Sequence, residues 1–473
     1  MNLNKNYIPD DVKQIHLVAV CGSGMAALAC MLKDLGYTVT GSDQKVYPPM
    51  STFLADKNIT VLNGFGENNL HYRPDLVVVG NAVSIDNPEV VATQKLGLNF
   101  CSMPQALNRF VVADKKPLLI TGTHGKTTTA SILAWILDVA GLDPSFVIGG
   151  ILKNYDSNYH LGKGQFIVIE ADEYDTAFFD KGPKFLHYNG VATILTSVEF
   201  DHADIYEDLD HVKSAFGRFI SAIAGETLLV AHDSDKNIDG LLDGCKGRIE
   251  KYGKQLTSTW QMGNIIPDPP WTHFEIIGRD ISFGKFKTKL MGEHNRLNVL
   301  AAVAVADYLH IPVDVLSEAL ESFENVKRRQ EIRGQQNGIT VMDDFAHHPT
   351  AVRETLVAVK PFYTNGRIIA VFEPRTNTSM RDVFQDVYPH CFDPADLICI
   401  RKPPLLGKIP PDRRFSSQML VQDLQKRGKQ AHYFPDTQAI INFLAREATA
   451  GDLILVMSNG GFDNIHEKLL ESL

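Results

Sequence analysis

The stretch PLLITGTHGKTTTASILAWIL, residues 117–137, admits few folds. An apolar strand runs into Gly122, Thr123, His124, Gly125, Lys126 and Thr127, and an apolar helix follows at once. Glycines let successive backbone N–H groups wrap an anion, and the helix N-terminus adds partial positive charge. Lys126 can then reach outer phosphate oxygens, and the Thr127 hydroxyl can serve Mg²⁺. The spacing GxxGKT is two residues shorter between its glycines than GxxxxGK[ST], so a glycine turn capped by threonines is the competing reading. A lysine set directly between glycine and a threonine run, at a strand-helix junction, favours the nucleotide. The chain is expected to use ATP.

Upstream, HLVAV, CGSGMAALACMLKDLG and YTVTGSD read as a strand, a glycine turn into a helix, and a second strand, a βαβ opening. NITVLN and DLVVVG extend this alternation to about residue 112. Past the phosphate loop, QFIVIEAD and GVATILTSVEF add strands to a mostly parallel sheet. From Glu226 to Leu290, TLLVAH, HFEIIG and RDISFG predict an antiparallel appendage, and GEHNRLNVLAAVAVADYLH predicts an apolar helix. After KRRQEIRG the strands GITVMDDF, RIIAVFEP, DLICI, QAHYF and DLILVMS alternate with helices. The expectation is an α/β chain of three domains, residues 1–112, 113–327 and 328–473.

Composition narrows the function. With 46 basic against 56 acidic residues the formal charge is −10, which gives no global attraction to nucleic acid or to an anionic membrane. The six cysteines are scattered without a CxxC pair, so neither a disulfide framework nor a cysteine zinc site is expected. The N-terminus MNLNKNYIPDDVKQ is polar and no run approaches a membrane span, which predicts a cytoplasmic protein.

Further candidates cluster at strand ends, where open α/β sheets bind ligands. QFIVIE leads into Asp172, Glu173 and Asp175, oxygen ligands of the kind Mg²⁺ prefers. ATILTSVEF ends in Glu199, Asp201, His202 and Asp204. In CGSGMAALA, Gly22, Gly24 and Ala27 fit GxGxx[GA], and Asp43 closes the second strand; an NAD site is the alternative this turn raises. His294, Asn295 and Asn298 open a helix, where amides either read an adenine edge or cap the helix; capping is favoured. Arg328 and Arg329 mark the second boundary as phosphate contacts or a basic linker. Asp343, Asp344, His347 and His348 stand between a strand and a helix, and two adjacent histidines seldom converge on one ion. Arg375 follows another strand and can hold a carboxylate. A nucleotide-dependent binding or regulatory protein is the non-enzymatic alternative.

In order along the chain, the GSGM turn, GTHGKTTT, EADEYD, EFDHADIY, GEHNRLN, KRR, DDFAHHPTA and EPRTNT resemble the Mur ligase family of peptidoglycan biosynthesis, nearly end to end. The resemblance implies a Rossmann-like N-terminal domain for a UDP-sugar, a central P-loop ATPase, and a C-terminal dinucleotide-fold-like domain for the incoming amine. It implies ATP contacts at Gly122 to Thr128, including Thr128 itself, and at His294, Asn295, Asn298, Arg329 and Asp344. It places Mg²⁺ on Thr127, Glu173 and His202, with Lys126, Glu173, His202 and Arg329 as the catalytic set. UDP-N-acetylmuramate would meet Gly22, Ser23, Gly24, Met25, Ser42 and Asp43, and the amine His348 and Arg375. The histidine P-loop and GSGM resemble the branch that adds L-alanine in de novo synthesis. EADEYDTAFFDK, DDFAHHPTAV, FEPRTNTSM and VMSNGGF resemble the recycling branch that adds L-Ala-γ-D-Glu-meso-diaminopimelate, and this branch is preferred. Several relatives carry a carbamylated lysine where VKSAFGRF has Phe216, so that modification is not expected here.

Overall fold

The computed structural model describes residues 2–233, 235–404 and 406–473. Parallel strands covered on both faces by helices must be apolar along their whole length, and LVVV and LILVM, both wholly buried, show the pattern. Among the described residues such runs build three large sheets, and a short antiparallel pair, Asp175–Ala177 with Asp180–Pro183, stands apart from them.

The first sheet is all-parallel, with Thr60–Asn63, Thr38–Asp43, Gln14–Val18, Leu76–Val79 and Phe100–Ser102 in spatial order. Its order reverses beside Gln14–Val18, and the helix Ser23–Asp34 starts there. That crevice is where doubly wound sheets receive ligands.

The second sheet has ten strands. Lys116–Thr121 lies between Ala192–Leu195 and Phe166–Glu170, parallel to both, so three adjacent strands deliver their C-terminal loops to one edge. TLLVAH departs from the sequence expectation. Leu228–His232 pairs parallel with Ala192–Leu195 and with Arg248–Gly253, because the helix Leu209–Ala222 supplies the crossover that a parallel neighbour requires. Antiparallel pairing starts only with Trp260–Asp268, Trp271–Gly278 and Ile281–Thr288, which continue the same sheet. At the opposite edge Ser145–Leu152 and Ser157–His160 form an antiparallel pair.

The third sheet orders Glu331–Gln336, Ile339–Asp344, Leu453–Met457, Ile368–Phe372, Leu397–Arg401 and Gln430–Phe434, with only the first strand antiparallel. Its faces bury separate clusters, Val352 and Leu356 on one side and Ile440, Leu444 and Ile465 on the other. A further core joins the first and second sheets, from Ile15 and Leu28 to Phe185 and Phe216. Phe216 is fully buried, its ring 5.1 Å from that of Phe185. Among the described residues no helix is long and apolar enough to cross a membrane.

Candidate functional site

The phosphate loop owes its shape to two glycines. Gly122 has φ 122° and Gly125 has φ 81°, a region where side chains are strained. A Cβ on Gly122 would overlap Thr196 Oγ1, and one on Gly125 would lie 2.5 Å from Asn298 Oδ1. The loop is fixed to the next strand end: Ser197 O accepts from the Thr123 amide at 2.8 Å and Ser197 Oγ from the His124 amide at 2.9 Å. Gly125 caps the helix Lys126–Val139, which leaves its first N–H groups facing the loop.

Lys126 folds back over this loop. Its Nζ donates to Gly122 O at 2.5 Å, Thr123 O at 3.2 Å and Glu173 Oε2 at 2.8 Å. Burial disfavours the ammonium, yet Glu173 outweighs burial and the Lys126 pKa rises above its ordinary value. Glu173 is 2% exposed. Burial alone would raise its carboxyl, but Lys126 and His202 hold it down at about 2. Glu173 Oε1 lies 3.4 Å from His202 Nε2 without hydrogen-bond geometry, so this buried oxygen has no hydrogen-bond partner among the described residues. His202 adopts a left-handed φ of 55°, supported by its amide donating to Asp201 Oδ1 at 2.7 Å. Burial lowers its imidazole, but Glu173 and Asp201 prevail and raise it.

Beside this cluster lies a carboxylate that sequence reasoning missed. Thr127 Oγ1 donates to Glu170 Oε1 at 2.9 Å, and the Gly149 amide to Glu170 Oε2 at 2.6 Å. Glu170 is the last residue of its strand and pairs in register with Ile120, just before the phosphate loop. That register is the signal that could have found it.

The third domain meets the loop that carries His202. Thr350 Oγ1 donates to Glu199 Oε2 at 2.7 Å, His348 Nε2 to Phe200 O at 3.3 Å, and the Ala203 amide to Thr378 Oγ1 at 3.2 Å. His348 caps the helix Pro349–Val359, and burial with His124 nearby keeps it neutral. His347 turns away and donates from Nδ1 to Phe345 O at 2.9 Å, so the two histidines do not converge. Arg375 contacts buried Glu373 at 3.4 Å and lines a cavity of about 410 Å³ with Tyr47, Asn459, Phe462 and Asp463. Phe462, Asp463 and Asn464 all take left-handed φ angles of 44°, 51° and 56° at its wall, and strain of this kind concentrates at ligand sites.

Near the boundary between the second and third domains the capping reading of the amides fails. The helix Glu293–Tyr308 has Gly292 at its N-cap with no side-chain cap. Asn295 and Asn298 instead form a buried chain, Asn298 Nδ2 to Asn295 Oδ1 at 3.3 Å and Asn295 Nδ2 to Gln330 Oε1 at 3.2 Å, and Asn298 abuts Gly125. His294 Nδ1 is buried without a hydrogen-bond partner among the described residues. Arg328 and Arg329 divide their work. Arg328 donates to Asp343, Ser458 O and Gly460 O and so braces the third domain, whereas Arg329 lies over the Phe345 ring at 4.8 Å. Asp344 accepts the Gln330 amide at 2.9 Å and the Ala346 amide at 2.8 Å, tying the start of the third domain to the end of its strand.

In the first domain Gly22 caps the helix that Ser23, Gly24 and Met25 begin. Asp43 accepts the amides of Cys21 and Lys45, each at 2.9 Å, and so shapes the turn. Ser42 faces inward, donating to buried Glu89 at 2.5 Å.

Three known families of domain match this chain in the same order as the sheets. Residues 14–115 match the Mur ligase family, catalytic domain, residues 120–306 the Mur ligase middle domain, and residues 328–460 the Mur ligase, glutamate ligase domain. The chain is 40% identical over 462 residues to the UDP-N-acetylmuramate–L-alanyl-gamma-D-glutamyl-meso-2,6-diaminoheptandioate ligase of Escherichia coli, covering 97% of this chain and 98% of that protein. It is 33% identical to a UDP-N-acetylmuramate–L-alanine ligase of Desulforapulum autotrophicum, over 99% of both. The crystal structure of a murein peptide ligase from Psychrobacter arcticus superposes with a TM-score of 0.72 at 33% identity, over 97% of this chain and 98% of that one.

Proposed function

The chain belongs to the Mur ligase family of ATP-dependent, amide-forming ligases, and on that premise we propose that it joins the lactyl carboxylate of UDP-N-acetylmuramate to the amine of L-Ala-γ-D-Glu-meso-diaminopimelate. The observation that carries the reading is the meeting of Lys126, Glu173 and His202 at the ends of adjacent strands. The Escherichia coli relative at 40% identity supports the choice of amine.

A carboxylate is a poor electrophile with a bad leaving group. Moving the γ-phosphoryl of ATP onto the lactyl oxygen gives an acyl phosphate, and attack by the free amine forms the amide and releases phosphate. Lys126 neutralises charge on the phosphoryl in transit. Thr127, Glu173 and His202, with Glu170 added, are the proposed Mg²⁺ donors. The buried Glu173 Oε1, which has no hydrogen-bond partner among the described residues and faces His202 Nε2 at 3.4 Å, fits a hard cation that prefers oxygen. Bound Mg²⁺ supplies charge neutralisation at the outer phosphates.

In this reading residues 1–112 hold the UDP-sugar through Gly22, Ser23, Gly24, Met25 and Asp43, while the Ser42 side chain, expected to join them, is turned into the core toward Glu89. Residues 113–327 hold ATP through the phosphate loop, His294, Asn295 and Asn298, and Arg329 and Asp344 close the nucleotide site. Residues 328–473 receive the amine through His348 and Arg375. The cavity of about 410 Å³ at Arg375 falls within the range of about 300–1,000 Å³ typical of ligand pockets, which suits a peptide better than free alanine. L-Alanine is the second reading, supported by the relative at 33% identity.

Phosphate release tests the assignment. Wild-type protein is expected to release phosphate only when UDP-N-acetylmuramate, ATP and amine are all present, and Lys126→Ala to reduce the rate by about 10³-fold. Full activity in that variant would refute the role given to Lys126.

A further inference from the structure

We propose that His124, Glu199 and His348 form a binding site for a nitrogen-preferring divalent cation of the Zn²⁺ class, distinct from the Mg²⁺ donors and shared between the central and third domains. The potential ligand atoms of the three side chains all lie within 4.8 Å of one another. Glu199 Oε2 is 3.7 Å from His124 Nε2 and 3.8 Å from His348 Nδ1. Tetrahedral Zn²⁺ with bonds near 2.1 Å sets its ligands about 3.4 Å apart, so the two pairs that include Glu199 need close by only a few tenths of an ångström, and the His124–His348 pair, within 4.8 Å, by at most about 1.4 Å.

The surroundings orient these atoms as an ion would need. Phe200 O can only accept, so His348 Nε2 carries the proton and Nδ1 presents its lone pair toward Glu199. A histidine whose remote N–H is held by a backbone carbonyl is the usual outer arrangement of a metal ligand. The Thr350 amide also reaches Nδ1, at a long 3.3 Å, and is the contact an ion would displace. The Thr350 hydroxyl fixes the Glu199 carboxylate at 2.7 Å. His124 Nε2 is buried with no hydrogen-bond partner among the described residues, a costly state that a bound cation relieves. The rings of His124 and His348 stand 4.6 Å apart at 47°, tilted rather than stacked.

Two imidazoles and one carboxylate make an N₂O set with an open fourth position. That set is nitrogen-rich, where the proposed Mg²⁺ donors are mostly oxygen, and so favours Zn²⁺-like ions over Mg²⁺. Two ligands belong to the central domain and one to the third, so an ion here fastens the domains together. It would also occupy His124 of the phosphate loop and His348, the residue proposed for the amine. The site is therefore inhibitory, closing the enzyme without substrates. The inference does not depend on which amine the enzyme uses.

Metal-free full-length protein titrated with Co²⁺, whose visible d–d absorption reports coordination, tests the site. The expected result is one tightly bound equivalent with an intense four-coordinate band that excess Mg²⁺ does not displace. His124→Ala and His348→Asn should each weaken Co²⁺ binding at least tenfold and abolish the band, and Glu173→Gln should keep both. Asparagine at 348 retains a helix-capping side chain, so loss of binding there is not unfolding, and thermal melts of each variant check this. Equal affinity and spectra in wild type, His124→Ala and His348→Asn would overturn the proposal. So would absence of binding to wild type, or loss of the band in Glu173→Gln, which would place the ion among the Mg²⁺ donors.

Discussion

Lys126 Nζ donates to Glu173 Oε2 across 2.8 Å, with the lysine side chain only 11% exposed and the glutamate 3%. Each charge is buried at the expense of hydration and is compensated chiefly by the other. Removing one partner of such a pair leaves an uncompensated buried charge, which costs about 3–5 kcal/mol. Here His202 shares the burden. Lys126→Ala is predicted to lower stability in chemical denaturation, and Lys126→Ala with Glu173→Gln to recover part of the loss. The double-mutant cycle should give a coupling of about 1–3 kcal/mol; additive effects would show that the two residues are independent.

Glu170 engages Thr127 on one oxygen and the Gly149 amide on the other, so it both orients the threonine hydroxyl and adds charge beside the Gly122–Thr127 loop. Glu170→Gln keeps the shape and removes the charge. The Mg²⁺ concentration required for half-maximal phosphate release should rise by about 10–100-fold. An unchanged Mg²⁺ requirement would remove Glu170 from the proposed donor set.

Gly125→Ala places a methyl group 2.5 Å from Asn298 Oδ1 at a φ of 81°. Strain of about 1–3 kcal/mol is expected, together with displacement of Asn298. Calorimetric titration should show ADP binding weakened at least tenfold. Gly36→Ala is the control, since Gly36 also has a positive φ of 94° but meets nothing within 4 Å; it should lose some stability and leave ADP affinity intact.

His294 gives a pH signature. Burial, with Arg296 and Arg329 near, lowers its pKa to about 4 from an ordinary 6.5. The folded protein therefore keeps it neutral while the unfolded chain protonates below 6.5. Its contribution to stability is complete above pH 6.5 and is lost as pH falls toward 4, by at most about 1.4 kcal/mol per pH unit. Denaturation midpoints measured from pH 7 to 4.5 should fall less steeply in His294→Gln than in wild type. Parallel profiles would assign the acid sensitivity elsewhere.

The strands of the three sheets are legible because doubly covered parallel strands need unbroken apolar runs, as in LVVV and LILVM. Ser145–Leu152 is not, since SFVIGGIL carries two glycines that read as a turn, and its partner SNYH is polar. The direction of TLLVAH is hidden for another reason: a crossover helix decides it, and the strand's own residues do not. In the site, Lys126 opens a helix and Glu173 and His202 stand in loops, all just past strand ends, where charged residues stand out against apolar runs. Glu170 is still part of its strand, and only the pairing register exposes it. The juxtaposition of His124, Glu199 and His348 is legible nowhere in the sequence, because it depends on two domains meeting.

Competition between the two amines decides which one the enzyme couples. The direct measurement incubates the protein with ATP, Mg²⁺ and UDP-N-acetylmuramate, offers L-Ala-γ-D-Glu-meso-diaminopimelate and L-alanine in equal amounts, and weighs the products by mass spectrometry. The expected dominant product is the UDP-N-acetylmuramyl tripeptide, formed with equimolar ADP and phosphate. Predominant UDP-N-acetylmuramyl-L-alanine would contradict this expectation.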